Sequence, residues 1–298
     1  MLFIAMDLWQ PRSLGRSGLR VSRLGLGSSY GVSGRDVDRA IERGVNYLYW
    51  GSRRRDDFGA AITRAARRDR DRLCVVIQSY SRSALALGPS LELALRRLRI
   101  DRADALLLGW WNQPPPRRIV DRARALVESG KVRAIMISCH HRPTFANLIA
   151  DPACDAIMVR YNAAHRGAES EVFPHVVAAP RPPGVVAYTA TRWGALLDRA
   201  VVPPGEPVPR ASDCYRFALT RNEVDVVIAG PKNGAELDEA MAALDRGPLT
   251  ADELAWMRRV GDGVRAMSAV DAARTRNIGA LWAVAQRVGT RLGWGPPT

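Results

Sequence analysis

At 298 residues, 47% apolar and 25% charged, the chain has room for one large α/β barrel or two ordinary domains and the balance of a globular protein. It has no 18-residue apolar run, and Met1–Met6 lacks the basic and long apolar regions of a secretion signal, so neither a membrane span nor a leader is expected. The net charge of +14 invites a nucleic-acid reading, but Lys131 and Lys232 are the only lysines and the arginines alternate with aspartates, as in Arg67–Arg72; solvated helix faces account for this better than a nucleic-acid face.

The first pattern in chain order is Arg12–Arg23, whose centre, Gly15-Arg16-Ser17-Gly18, is turn chemistry between two short strands, hence a hairpin. Leu24–Ser28 reads as a strand and Arg35–Arg43 as a helix capped near Ser33 or Gly34. Residues 45–50, rich in β-formers and aromatics, read as a strand that empties into Arg53-Arg54-Arg55-Asp56-Asp57, and a helix follows near 57–68. The alternation then continues through strands at Leu73–Ser79, Ala105–Gly109, Val132–Ser138, Asp155–Val159, Gly184–Tyr188 and Val224–Ala229. Helices are expected at Pro89–Leu98, Arg117–Ser129, Pro143–Ile149, Ser170–Ala178, Ser212–Thr220 and Gly234–Leu244. Unbroken apolar strands imply burial on both faces, as in a parallel sheet, and eight strand–helix units close as a (β/α)8 TIM barrel. The expectation is one domain over residues 1–298: a hairpin at about 12–23, a barrel at about 24–245 and a helical extension at about 250–298. Cys74, Cys139, Cys154 and Cys214 lie far apart with no C-x-x-C pair, reading as free thiols in a reducing cytoplasm.

Several phrases together resemble the aldo-keto reductase family. They are Leu14–Gly27, Gly44-Val45-Asn46-Tyr47, Gly130–Ile135, Arg160-Tyr161-Asn162 with His165-Arg166, Val186-Ala187-Tyr188, Ile228-Ala229-Gly230-Pro231 and Gly247-Pro248-Leu249-Thr250. The resemblance covers nearly the whole chain in the right order and implies a barrel that reduces carbonyls with NAD(P)H. In that family a Tyr protonates the carbonyl oxygen, a Lys paired with an Asp lowers its pKa, and a His orients the carbonyl. The matching positions here are Tyr49 for Asp, Arg54 for Tyr, Tyr80 for Lys and Gly109 for His, so all four are replaced. Neither Lys131, at a strand start, nor Lys232, beyond the last strand, is placed to tune a phenol.

The resemblance also implies a cofactor site. Tyr188 matches the ring that stacks on the nicotinamide, with a strand-core tyrosine as the alternative, and Ser138 matches a carboxamide-binding position whose usual neighbours are here Cys139 and Met158. Gly230 and Lys232 match the loop that holds the adenosine-side phosphate, favouring NADP(H), with a solvated lysine as the alternative; Glu236 and Glu239 match ribose- and adenine-side positions.

The residues at the strand ends suggest what such a mouth would bind. Trp50, Trp110, Trp111 and Trp193 offer flat apolar surface; Arg53 and Arg54 can grip an anion, or, as the alternative, Arg53–Arg55 pair with Asp56 and Asp57. Tyr49, Tyr80 and His140 or His141 are the candidate proton donors, and Arg54 a clamp on developing negative charge. Three readings stay open: an NAD(P)H oxidoreductase acting on a planar or anionic small molecule, a catalytically silent NADP- or anion-binding barrel, and a non-redox isomerase or lyase. The sequence says nothing of oligomeric state.

Overall fold

The apolar segments from Leu24 onward pair in parallel and close on themselves. The computed structural model describes residues 7–51 and 53–274. In it a hairpin of β1 (Arg12–Ser13) and β2 (Arg20–Val21) precedes eight barrel strands: β3 (Leu24–Gly27), β4 (Tyr47–Trp50), β5 (Cys74–Ser79), β6 (Ala103–Leu108), β7 (Val132–Ser138), β8 (Ala156–Arg160), β9 (Gly184–Tyr188) and β10 (Val226–Ala229). Sequence neighbours are spatial neighbours all the way round, and β10 closes on β3 with Val227 opposite Leu24. The helices are α1 (Gly34–Glu42), α2 (Asp56–Arg68), α3 (Ala84–Leu98), α4 (Arg117–Glu128), α5 (Thr144–Ala150), α6 (Ala168–Glu171), α7 (Phe173–Ala178), α8 (Ala211–Leu219), α9 (Gly234–Arg246) and α10 (Ala251–Arg274).

Side-chain parity sorts each strand between two cores. Tyr47, Tyr49, Val76, Leu107, Met136, Met158 and Val186 fill the lumen, and Leu14, Leu19 and Val21 of the hairpin close its floor. Alternate residues, among them Leu48, Trp50, Val75 and Ile77, pack outward in the core shared with the helices. Burial on both faces is the reason the strands read as continuous apolar runs.

Some boundaries differ from expectation. Helix α3 begins at Ala84, five residues before Pro89, because Leu87 is as fully buried as Leu91, Leu95 and Leu98, and this packing outweighs the hydrogen bond that an internal proline forgoes. The helix expected over Ser170–Ala178 is two, α6 and α7, broken at Val172. Pro174 has no N–H to donate into the preceding turn, so it sits in the first turn of a new helix.

Helix α10 packs outside the barrel through Met257, Val260 and Val264. The rest of the expected 250–298 extension, and the apolar start Met1–Met6, lie outside the described residues. Among the described residues no helix is long and apolar enough to cross a membrane. The four cysteines are free and buried.

Candidate functional site

The C-terminal ends of the strands carry a polar layer above the apolar lumen. Tyr49 turns inward from β4 and donates its hydroxyl proton to Gln78 Oε1 on β5. Gly51 makes this bend feasible, since a Cβ there would overlap the Tyr49 ring, 1.9 Å from its Cζ. Across β6, Gly109 leaves space that Gln78 Nε2 and the Tyr80 ring occupy; a Cβ would stand 2.4 Å from the first and 2.8 Å from the second. No side chain enters position 109 while Gln78 and Tyr80 keep these places.

Arg54 does not reach into the lumen as a free cation. Its Nη2 donates to the Gln78 carbonyl (2.6 Å), its guanidinium lies 5.1 Å over the Trp50 ring, and burial lowers its pKa. The expected pairing of Arg53–Arg55 with Asp56 and Asp57 does not form. Asp56 pairs with Arg97, Asp57 accepts from the Gly34 amide (2.6 Å), and Arg55 donates to the Ser29 carbonyl. Arg53 is exposed at the rim, its carbonyl held by Ser28 Oγ (2.5 Å).

A second cluster stands on the β7–β9 side. Trp110, with φ of 57°, donates its amide to Ser138 Oγ (2.8 Å) and sets its ring edge-on to His140 at 5.4 Å. The Tyr188 ring meets His140 from the other side at 6.0 Å, with Tyr188 Oη 3.3 Å from His140 Nδ1. Arg160 Nη2 is 3.1 Å from the same nitrogen. A guanidinium can only donate, so Nδ1 is the acceptor and the neutral ring carries its proton on Nε2. Desolvation, then the Arg160 charge, lowers the His140 pKa to about 4, so the ring is neutral at pH 7. Burial raises Tyr188 to about 12, and its phenol stays protonated.

Four of the five non-glycine residues with positive φ among the described residues, Trp110, Thr189, Arg192 and Trp193, belong to the loops after β6 and β9. Such backbone strain collects where a loop is shaped for a ligand. Trp193 is 62% exposed, with the Arg160 guanidinium 5.1 Å over its ring.

Near β10 the residues matched to the cofactor have partners of their own. Asn233 caps α9 through the Glu236 amide (2.9 Å), and Glu236 Oε2 accepts from the Lys232 amide (2.8 Å). Glu239 binds the Arg210 guanidinium and the Ser212 amide (3.1 Å). The Tyr30 ring covers Gly230, where a Cβ would approach within 2.3 Å. Ser138 and Tyr188 share the inward parity of Met136 and Val186, and Lys232 lies just before the N-terminus of α9.

Two of the four tryptophans expected at the mouth do not join these clusters. Trp50 follows inward-facing Tyr49 and therefore points outward; it is fully buried against α2, with Nε1 donating to the Arg55 carbonyl (3.2 Å). Trp111 is buried in the outer core under Arg82, whose guanidinium lies 4.1 Å over its ring. His141 is tied to Thr144 at the start of α5 (3.0 Å) and not to the His140 cluster. Sequence reasoning missed Gln78, a polar residue in an otherwise apolar strand, and Arg160, which shares the inward parity of Met158. It also missed Arg82, which gathers the carbonyls of Tyr80, Gly109 and Trp110 and so holds the β5 and β6 loops together.

No family model matches the chain, and no curated protein matches it. Solved structures do. The holo form of an aldo-keto reductase from Bacillus halodurans is 21% identical, with a TM-score of 0.72 over 84% of this chain and 96% of that one. An aldo/keto reductase from Klebsiella pneumoniae, in complex with NADP and acetate, is 22% identical with a TM-score of 0.69 over 83% and 94%. A putative 2,5-diketo-D-gluconic acid reductase B is 20% identical with a TM-score of 0.68 over 85% and 92%. The chain has the (β/α)8 barrel fold of the aldo-keto reductases.

Proposed function

We propose that the protein is an NADP(H)-dependent oxidoreductase with a non-standard active site, acting on a planar or anionic small molecule. The observation that carries this reading is the arc from Ser138 on β7, past Tyr188 on β9, to Lys232 beyond β10. Those three stations suit a dinucleotide lying across one lip of the barrel. The fold neighbour from Klebsiella pneumoniae in complex with NADP supports the same choice of cofactor.

When bound, the cofactor supplies the hydride; the chain supplies position and charge. The half-buried Tyr188 ring holds the nicotinamide end, and the neutral His140 donates from Nε2 to the acceptor oxygen, with the Arg160 charge behind it stabilising the negative charge that develops. Turned from Gln78 Oε1 toward the substrate, the Tyr49 hydroxyl is the proton source deeper in the lumen. Tyr49, Arg54, Tyr80 and Gly109, the positions equated with the family's tetrad, form a closed contact group with Gln78 instead of a lysine-tuned phenol. That arrangement suits an activated acceptor such as an enone, an imine or a quinoid ring better than a plain ketone.

The same closure supports a second reading, a barrel that binds NADP or another anion without turnover. Titration of NADPH and NADH, followed by nicotinamide fluorescence and thermal stability, tests both. NADPH is expected to bind and Lys232→Ala to weaken it about tenfold. A cofactor-dependent absorbance change with an activated acceptor then separates enzyme from silent barrel. Absence of binding by either nucleotide overturns both NADP readings.

A further inference from the structure

Outside the barrel, behind β4, a cavity of about 310 Å³ opens between α2 and the end of α3. Its lining includes four arginines, Arg64 and Arg67 from α2 and Arg97 and Arg99 from the end of α3, against one carboxylate, Asp56. The stretch of α2 between them is small: Gly59, Ala60 and Thr63 face the cavity, with the fully buried Trp50 at its base. A Cβ on Gly59 would stand 3.2 Å from Leu98 Cδ2 and 3.3 Å from Trp50 Nε1, and Thr63 Oγ1 donates to the Leu98 carbonyl (2.7 Å), so the two helices are tied at the cavity edge. Two of the arginines are held in place. Arg97 Nε donates to Asp56 Oδ1 (3.0 Å) with its guanidinium 5.6 Å over the Trp50 ring, and Arg64 Nη2 binds Asp38 (2.7 Å). Arg67 and Arg99 are exposed, and among the described residues neither pairs with a carboxylate. Arg99 is also the fifth non-glycine residue with positive φ, 53° at the C-cap of α3, a left-handed helix end that glycine adopts without strain. A cation suits the carbonyl end of a helix, but Arg96 and Arg97 already stand in that last turn. Like charges converging on one cavity repel, and an anion between them relieves the repulsion.

We propose that this cavity is a binding site for a small phosphorylated molecule: a phosphate or diphosphate group gripped by Arg67, Arg97 and Arg99, with the rest of the ligand against the Gly59–Thr63 face of α2. Cations arriving from two helices call for more acceptor oxygens and more charge than one carboxylate carries, which a phosphate supplies. The volume lies at the low end of ligand cavities, so a dinucleotide is too large. The cations converge on a cavity instead of running along a face, which suits a small ligand better than a polymer. The site is separate from the mouth, because Trp50 points out of the barrel toward it while Tyr49 points into the lumen. It therefore stands apart from the oxidoreductase reading.

Calorimetric titration with inorganic pyrophosphate and with acetate, at constant ionic strength, tests it. Pyrophosphate is expected to bind about tenfold tighter than acetate or better. Arg99→Gly should weaken pyrophosphate about tenfold while the thermal midpoint holds or rises, since glycine takes the left-handed cap without strain; this variant keeps the test sound whatever the other substitutions do to folding. Arg67→Gln should weaken it by a similar factor. Asp56→Asn should tighten it, because a negative charge leaves the cavity. Lys232→Ala, beyond β10, should leave it as in the parent. Absence of pyrophosphate binding, or equal affinity in the parent and in Arg99→Gly, overturns the proposal. Loss on Lys232→Ala but not on Arg99→Gly places the pyrophosphate in the loop after β10 and also overturns it. A short single-stranded oligonucleotide that displaces pyrophosphate, binds tighter and is itself lost on Arg67→Gln and Arg99→Gly would assign these arginines to a nucleic-acid face and overturn the small-molecule site.

Discussion

Single residues decide how the mouth is filled. Gly51 is one, because the Tyr49 ring passes through the space a Cβ would take. Gly51→Ala should cost about 1–3 kcal/mol through overpacking and separate Tyr49 from Gln78; urea unfolding would measure the first effect, and an unchanged midpoint would contradict it. His140 and His165 are two more. Both have folded pKa values near 4, well below the ordinary histidine value of 6.5. Between about pH 6.5 and 4 the unfolded chain therefore binds more protons than the folded one, so these two rings make stability fall as the pH drops through that window. Ring-proton NMR titration should place both midpoints near 4, and Arg160→Met should move that of His140 upward; midpoints near 6.5 in the parent would contradict the burial argument. Of this residue-level detail the sequence showed the residue types at strand ends. It did not show that Arg54 is spent on the Gln78 carbonyl or that Trp50 faces outward, because a one-residue change of parity exchanges lumen for helix layer.

At the scale of elements, the barrel floor is latched by carboxylates at strand starts. Asp104 on β6 accepts from the Val75 amide of β5 (2.8 Å), Asp155 before β8 from the Ile135 amide of β7 (2.8 Å), and Asp225 before β10 from the Val185 amide of β9 (2.9 Å). Each ties a strand to its neighbour where the regular ladder begins. Asp104 is nearly inaccessible and also pairs with Arg70 (2.8 Å) and Arg133 (3.2 Å). Asp104→Ala should destabilise by about 1–3 kcal/mol, because it leaves the buried Val75 amide without its acceptor; Asp104→Asn, which keeps an acceptor for Val75, should cost less. Equal losses in urea unfolding would place the cost in packing instead. The strands were legible as unbroken apolar runs, and most helices from the 3.6-residue period. The start of α3 and the break at Val172 were not, since both are settled by what the helix face meets and by one proline.

On the scale of the whole molecule, α10 is a strap across the second half of the barrel. Glu253 takes both Nη atoms of the buried Arg216 of α8 (2.7 Å each), Arg258 binds Glu169, Asp262 binds Arg166, and Val264 holds Arg192. The extension thus positions the cationic lip after β9 although it contributes no barrel strand. Glu253→Ala should cost about 2 kcal/mol, the worth of charged hydrogen bonds to a buried partner. It should speed hydrogen exchange over residues 251–264 and the 189–194 loop while β4–β7 stay protected. Uniform acceleration throughout would instead make α10 part of the cooperative core.

By itself the sequence determined the class of fold: eight apolar runs, each followed by a helical period, admit few arrangements other than a closed parallel barrel, because burial on both faces is written into composition. It also placed Tyr188 and Ser138 at strand ends and Lys232 just beyond the last strand, since strand ends are local features. Only the tertiary structure decided which cations are free. Ion pairing joins residues far apart in the chain, as Arg97 with Asp56 or Arg216 with Glu253, so charge balance at a site depends on packing that no local window contains.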